Sequence, residues 1–240
     1  RVEPPSGIIK VAPATMGIVS KVLVKVNDTV FAGEPLILLN DDEIQARYAA
    51  AEAQVGMRRR LRNEQAATGK ANDRRIVEDS VAEAETAVFD AQTVVDKAAL
   101  QWRSSGVPTA ALTSARAALV RAQEDLAKRQ AQLRGLDAPL LTPNEAQVVS
   151  ARGDLALARV NLEKLKIRAP IDGTILQLNI NPGELATPSA LQPVLSIANL
   201  TTLNVRAELD ERDVSEIKLG QADSVRAAAF PGREFAGIVT

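Results

Sequence analysis

Cysteine and histidine are both absent from the 240-residue chain, which removes thiolate nucleophiles, disulfides, imidazole bases and the commonest zinc ligands together. Only carboxylates, Ser/Thr, Lys and Tyr remain as reactive groups. Aromatic residues are scarce as well: one Trp, one Tyr and four Phe make up 2% of the chain. Compact cores usually draw much of their buried area from rings, so small aliphatic residues must do the packing here, which suits narrow helix pairs and small barrels. An excess of one charge is also missing. Lys plus Arg number 29 against 30 acidic residues, and a net charge of −1 gives no field to gather nucleic acid. No stretch approaches the roughly 20 apolar residues of a membrane helix, and no signal peptide precedes Arg1. The chain opens without Met and stops inside an apparent strand, Glu234 to Val239, so it reads as a fragment whose membrane anchor lies elsewhere.

What is present changes character twice. From Ile8 to Leu39, Val22, Val24 and Val26 alternate with Leu23 and Lys25 before an Asn27-Asp28 turn, with Gly17, Gly33 and Pro35 as punctuation. That pattern predicts two to four short strands. From Asp41 to Lys166, Ala, Glu, Gln, Arg and Leu dominate, and apolar residues recur at alternating steps of three and four. Val77, Val81, Ala84, Val88, Ala91, Val95, Ala98 and Trp102 form one stripe. Leu112, Ala115, Leu119, Ala122, Leu126, Leu133 and Leu136 form a second, broken by Arg129, and Val148 to Leu165 a third. Steps averaging about 3.5 residues keep a seam against a partner helix.

Ser104 to Thr109 is a breaker segment that reverses the chain, so the legs are expected to run antiparallel. Each leg has an interruption, at Thr68 to Asp73 and at Arg134 to Pro143, and in a hairpin the two fall side by side. Thr142-Pro143-Asn144-Glu145 has the pattern of a capping box with Pro at the first helical position. About sixty residues per leg predict a rod on the order of 90 Å. Beyond Lys166 the β pattern returns with an internal echo: Ala12-Pro13, Gly17, Ile18-Val19 and Asn27 recur as Ala169-Pro170, Gly173, Thr174-Ile175 and Asn181. Leu203 to Thr240 reads as strands with a short helix starting at Asp210.

Charged clusters have plainer readings than ligand sites. Arg58-Arg59-Arg60-Leu61-Arg62 and Arg74-Arg75 lie beside Glu64, Asp73, Glu78 and Asp79 with no interleaved aromatic, so a solvated or intersubunit helix face is expected rather than a nucleic-acid or lipid surface. Asp41-Asp42-Glu43 is expected to cap a helix rather than to hold a cation. Nothing brings a base, a nucleophile and an oxyanion donor together, so no catalytic, metal or cofactor residues are assigned.

The order of elements resembles the HlyD-like membrane fusion proteins, the periplasmic adaptors of tripartite efflux pumps and type I secretion systems. The strings GIVSKVLVKVNDTVFAGEPLILL and IRAPIDGTILQLNINPGELATP resemble the two halves of that family's lipoyl-like domain. LNVRAELDERDVSEIKLGQ followed by FPGREFAGIV resembles the adjoining barrel. The resemblance implies an α+β fold: a lipoyl-like (biotinyl-like) β-barrel split by a long antiparallel coiled-coil α-hairpin and followed by an incomplete β-barrel domain. The expected division is 1–40 for the first half of the lipoyl-like domain, its N-terminal strand joining the β-barrel. Then come 41–166 for the hairpin with its tip near 104–109, 167–200 for the second half, and 201–240 for a partial β-barrel. It further implies a non-enzymatic periplasmic protein, anchored to the inner membrane, that couples an inner-membrane transporter to a TolC-type outer-membrane channel. A ring of adaptor copies is expected, with no nucleic acid and no cofactor. Arg103, Gly106, Pro108, Thr109 and Leu112, at the hairpin tip, are the implied channel contacts. Two alternatives stand beside this. One is a purely structural coiled coil. The other is a biotin or lipoyl carrier, for which Asp96-Lys97-Ala98 imitates the acceptor tripeptide.

Overall fold

The computed structural model describes residues 2–5, 7–65, 69–105, 110–136, 142–189, 191–207, 218–226, 232 and 234–240. It divides into two compact units, Ser6–Leu200 and a smaller one made of Arg1–Pro5 with Thr201–Thr240. The class is α+β, as expected.

In the larger unit, the first half contributes β2 (Ile9–Val11), β3 (Gly17–Val22), β4 (Thr29–Val30) and β5 (Pro35–Leu39). The second half contributes β6 (Lys166–Arg168), β7 (Gly173–Leu178), β8 (Leu185–Ala186) and β9 (Leu195–Ala198). These strands form two four-stranded sheets, β2-β9-β7-β4 and β6-β5-β3-β8. Exchanging each strand for its counterpart in the other half turns one sheet into the other. The sequence echo is therefore realised as two interleaved halves, each supplying two strands to each sheet. Both sheets bury their apolar side chains in one core: Val30, Leu36, Ile37, Ile175, Leu195 and Ile197 are fully buried, with Val19 and Leu39 beside them.

Two glycines show how closely the halves meet. Gly33 turns the chain between β4 and β5 at φ +79°, the left-handed region where a side chain is strained. At Gly173, an added Cβ would lie 2.6 Å from the carbonyl oxygen of Ala198.

Between β5 and β6 run four helices, α1 (Asp42–Asn63), α2 (Lys70–Ser105), α3 (Ala110–Arg134) and α4 (Pro143–Lys164). The expected capping box is present at α4: Thr142 Oγ1 accepts from Glu145 N–H, and Glu145 Oε2 accepts from Thr142 N–H. At α1, by contrast, Asp41 makes no cap bond and instead accepts from Gln45 Nε2 at 2.6 Å. Asp42 and Glu43 still place negative charge in the first turn.

Each leg of the insertion doubles back. α1 packs closely on α4 and α2 on α3, as in a hairpin. However, Arg62 of α1 contacts Asp79 of α2 at 2.7 Å, and Tyr48 of α1 stacks on Phe89 of α2 at 5.6 Å. Seventeen residues of continuous helix would span about 25 Å, so α2 must return along α1. The two interruptions do lie side by side, with Arg74 Nη1 donating to the Leu136 carbonyl at 3.2 Å. α1 and α2 run antiparallel, where the sequence suggested one straight rod.

In the smaller unit, β1 (Val2–Glu3) pairs antiparallel with β10 (Asn204–Val205), and β11 (Ala222–Arg226) pairs with β12 (Glu234–Ile238). The helix expected to start at Asp210 lies outside the described residues.

Gly173→Ala is expected to lower the stability of the larger unit by about 1–3 kcal/mol, because the backbone of Ala198 cannot turn aside as a side chain would. Urea unfolding with an unchanged m-value checks it.

Candidate functional site

Helix α2 has two working faces. The apolar stripe from Val77 to Trp102 includes Ala98, which with Ala99 packs against Leu112 and Ala115 of α3. A second set, Arg75, Asp79, Thr86, Phe89, Asp96 and Arg103, keeps the same heptad step but sits two positions earlier, on the opposite side of the helix about 200° away. Part of this face meets α4, which carries its own seven-residue series Glu145, Arg152, Arg159 and Lys166 at the start of β6. The two series meet in order: Arg75 Nε with Glu145 at 2.7 Å, Asp79 with Arg152 Nη2 at 2.5 Å, Thr86 Oγ1 with Arg159 Nη2 at 2.8 Å, and Asp96 with Lys166 Nζ at 3.3 Å. Both helices therefore run toward the barrel, in parallel.

At its C-terminal end α2 passes beside the barrel loops. Arg103 Nη1 donates to Asp28 Oδ2 at 2.8 Å and Nη2 to Glu34 Oε1 at 2.7 Å. Trp102 packs on Phe31 with ring centroids 5.2 Å apart, and the Arg116 guanidinium lies 4.9 Å over the same Phe31 ring. Arg103, one of the expected channel contacts, thus sits beside the barrel loops. The 103 end of α2 is beside the barrel, not at the farthest point from it, because the leg has folded back. Arg103 is committed to two carboxylates, and Leu112 is buried in the α2·α3 seam rather than presented to a partner. Gly106, Pro108 and Thr109 lie outside the described residues.

Two carboxylates, the half-buried Asp79 and the buried Asp96, organise the remaining contacts. Asp79 takes Arg62 Nη1 and Nη2 at 3.1 and 2.7 Å, with Arg59 and Arg152 also close. Asp96 receives both terminal nitrogens of Arg168, at 2.7 and 2.8 Å, with Lys166 and Gln92 beside it. For both acids burial works to raise the pKa, but the arginine hydrogen bonds and charges outweigh it and hold each carboxyl below its ordinary value. Arg62 is 1% exposed, so this member of the arginine run departs from the solvated or intersubunit face expected for it, whereas Arg60 is exposed. Sequence reasoning missed these residues because a charged stripe reads as surface. The signal that could have found them is its heptad step, repeated in α4.

Lys97, the candidate carrier lysine, is an exposed residue within α2, not on a turn between strands. Among the described residues no group of three or more acidic side chains is arranged to hold a metal ion. No described helix is long and apolar enough to cross a membrane.

No family model matches the chain. Among curated proteins it is 26% identical to the multidrug resistance protein MdtN of Escherichia coli O6:H1 over 96% of this chain and 68% of that one. It is 27% identical to the fatty acid resistance protein FarA of Neisseria gonorrhoeae over 89% of this chain and 54% of that one. The chain thus spans about half to two thirds of the length of these relatives. Its fold is that of solved adaptors. The periplasmic adaptor protein EmrA matches with a TM-score of 0.50 at 14% identity, covering 99% of this chain and 85% of that one. A MacA-MexA chimera containing the Pseudomonas aeruginosa MexA α-hairpin matches with a TM-score of 0.55 at 16% identity, covering 99% and 63%. The resemblance to membrane fusion proteins is borne out by both kinds of relative.

Acid should loosen α2 from its neighbours. A carboxyl with a lowered folded-state pKa stabilises fully above its unfolded value, near the ordinary 3.8, and that contribution is lost as pH falls through the lower folded value. Emission from Trp102, the sole tryptophan, is expected to hold constant from pH 7 to 5 and to shift red below pH 3.8.

Proposed function

We propose that the chain is the central part of a periplasmic adaptor that couples an inner-membrane transporter to a TolC-type outer-membrane channel in efflux or secretion. The observation that carries this reading is the barrel of two interleaved halves, split by a helical insertion that leaves from β5 and returns to β6. That arrangement spends four helices of 22, 36, 25 and 22 residues outside the barrel core, which suits bridging and coupling rather than enclosing a substrate. The names of the two relatives, both resistance proteins, support efflux, and the EmrA match supports the periplasmic adaptor role. Anchoring to the inner membrane is part of the proposal.

Gly106, Pro108 and Thr109, which fall between α2 and α3 in the sequence, are the proposed channel contacts. Several copies are proposed to pack side by side in a ring. On α4 alone Val149, Leu157 and Val160 are 48%, 61% and 50% exposed, and a neighbouring copy would cover them.

The coupling role is tested by in-cell photo-crosslinking from position 109 and, in parallel, from position 135 at the opposite bend. Capture of an outer-membrane channel is expected from 109. Capture of only unrelated proteins from both positions would overturn the reading. For the ring, Leu157→Glu is expected to reduce self-association at least several-fold in sedimentation velocity with transporter present.

A further inference from the structure

A groove of about 490 Å3 opens between the barrel and the end of α4, within the range of roughly 300–1,000 Å3 common for small-molecule sites. Its apolar lining is Val11, Ala12 and Ala14, from β2 and the loop after it, with Val160 of α4 and Ile167 of β6. β2 and β6 are each the end strand of a sheet, and they are counterparts in the two half-domains. The groove therefore lies along the seam where equivalent edges meet.

The rest of the lining is charged, and unevenly so. Arg159, Lys164, Lys166 and Arg168 stand against a single lining acid, Glu163. Lys166 and Arg168 are already matched: both bind Glu163 at 2.7 Å, and both reach Asp96, Lys166 at 3.3 Å and Arg168 at 2.7 and 2.8 Å. Two cations thus share two carboxylates. Arg159 and Lys164 have no acidic partner among the described residues. Arg159 Nη2 donates to the Thr86 hydroxyl at 2.8 Å and the guanidinium lies 5.5 Å over the Phe89 ring, neither of which bears a charge, while its buried Nε meets no acceptor. Lys164 complements the C-terminal end of α4, which accounts for its own charge but not for that of Arg159. In a chain whose net charge is only −1, this apolar groove carries a local surplus of two positive charges.

We propose that the groove binds an organic anion with a single apolar tail, its head group beside Lys164 and Arg159 and its tail against Val11, Ala14 and Ile167. An organic cation is repelled by the same two charges. A small anion without a tail leaves the apolar lining wet, and a wholly apolar molecule leaves the charges uncompensated. Both parts of the ligand are needed. Val160 also belongs to the surface assigned to a neighbouring copy, so binding is measured on the monomeric chain, where it depends neither on the ring nor on the adaptor reading.

Isothermal titration of the purified chain with octane sulfonate, below its micellar concentration, tests the proposal. Sulfonate keeps its charge at any working pH. Saturable binding at a single site is expected, with octyltrimethylammonium and methane sulfonate each weaker by roughly tenfold or more. Lys164→Glu, at an exposed position, and Ala14→Trp, which fills the groove from an exposed loop, are each expected to weaken octane sulfonate by roughly tenfold or more, with unchanged far-ultraviolet circular dichroism. If one variant loses its circular dichroism, the other decides. Leu191→Ser, at a residue 93% exposed and outside the groove, should leave binding as it is. Absence of octane sulfonate binding, equal binding of the cation, binding that survives both Lys164→Glu and Ala14→Trp, or binding lost in Leu191→Ser overturns the proposal. Neither transporter nor channel enters the test, so its failure leaves the adaptor role standing, and failure of the crosslinking test leaves the groove standing.

Discussion

Antiparallel pairing of β5 with β6 is the constraint on which the rest of the larger unit depends. Ile37 faces Ile167 and Pro35 faces Arg168, so the chain must leave the barrel and come back to the same edge. An insertion between two such strands has to be a closed excursion, with outward and returning legs of matched length. One long hairpin satisfies this, and so does a hairpin folded over at its middle. Both place α1 against α4 and α2 against α3, because chain order and the apolar stripes already fix those neighbours.

That degeneracy explains how much could be read from residues alone. The repeated Ala-Pro, Gly and Asn positions announced two equivalent half-domains, and the interleaved sheets follow from them. The box around Thr142 and Glu145 marked the start of α4, since capping is local and its donors and acceptors lie within one turn. The fold-over was not legible. Its determinants are Arg62 with Asp79, Arg168 with Asp96 and Arg103 with Glu34, pairs far apart in sequence whose members look like ordinary surface charge. Leu112 was assigned to a docking surface because it stands near a turn, yet nearness to a turn does not say which face of a helix a residue occupies. Its place in the 112, 115, 119 series was the better guide.

Scarcity of rings has a structural counterpart. Of the six aromatic residues, Tyr48, Phe89, Phe31 and Trp102 meet in two contacts that tie α2 to α1 and to the barrel. Arg159 lies 5.5 Å over Phe89 and Arg116 lies over Phe31, so cation and ring contacts reinforce the same surfaces. The barrel core manages with Val, Leu and Ile, and the helix seams with Ala and Leu. Large side chains are concentrated where separate bodies touch and where apolar seams do not reach.

The interleaving of the halves also sets an order of assembly. Strand β5 has β3 on one side and β6 on the other, and β9 sits between β2 and β7. Neither sheet can be completed until residues on both sides of the insertion are available. As the chain emerges from its amino end, Leu36 to Leu39 must wait, incompletely paired, while all four helices are made. Local contacts let the helices form early, whereas the barrel closes late and over a long stretch of chain. During that interval the waiting half can meet the complementary half of another molecule just as well as its own, so crowded copies of this chain run a standing risk of strand exchange, with mixed barrels as the product.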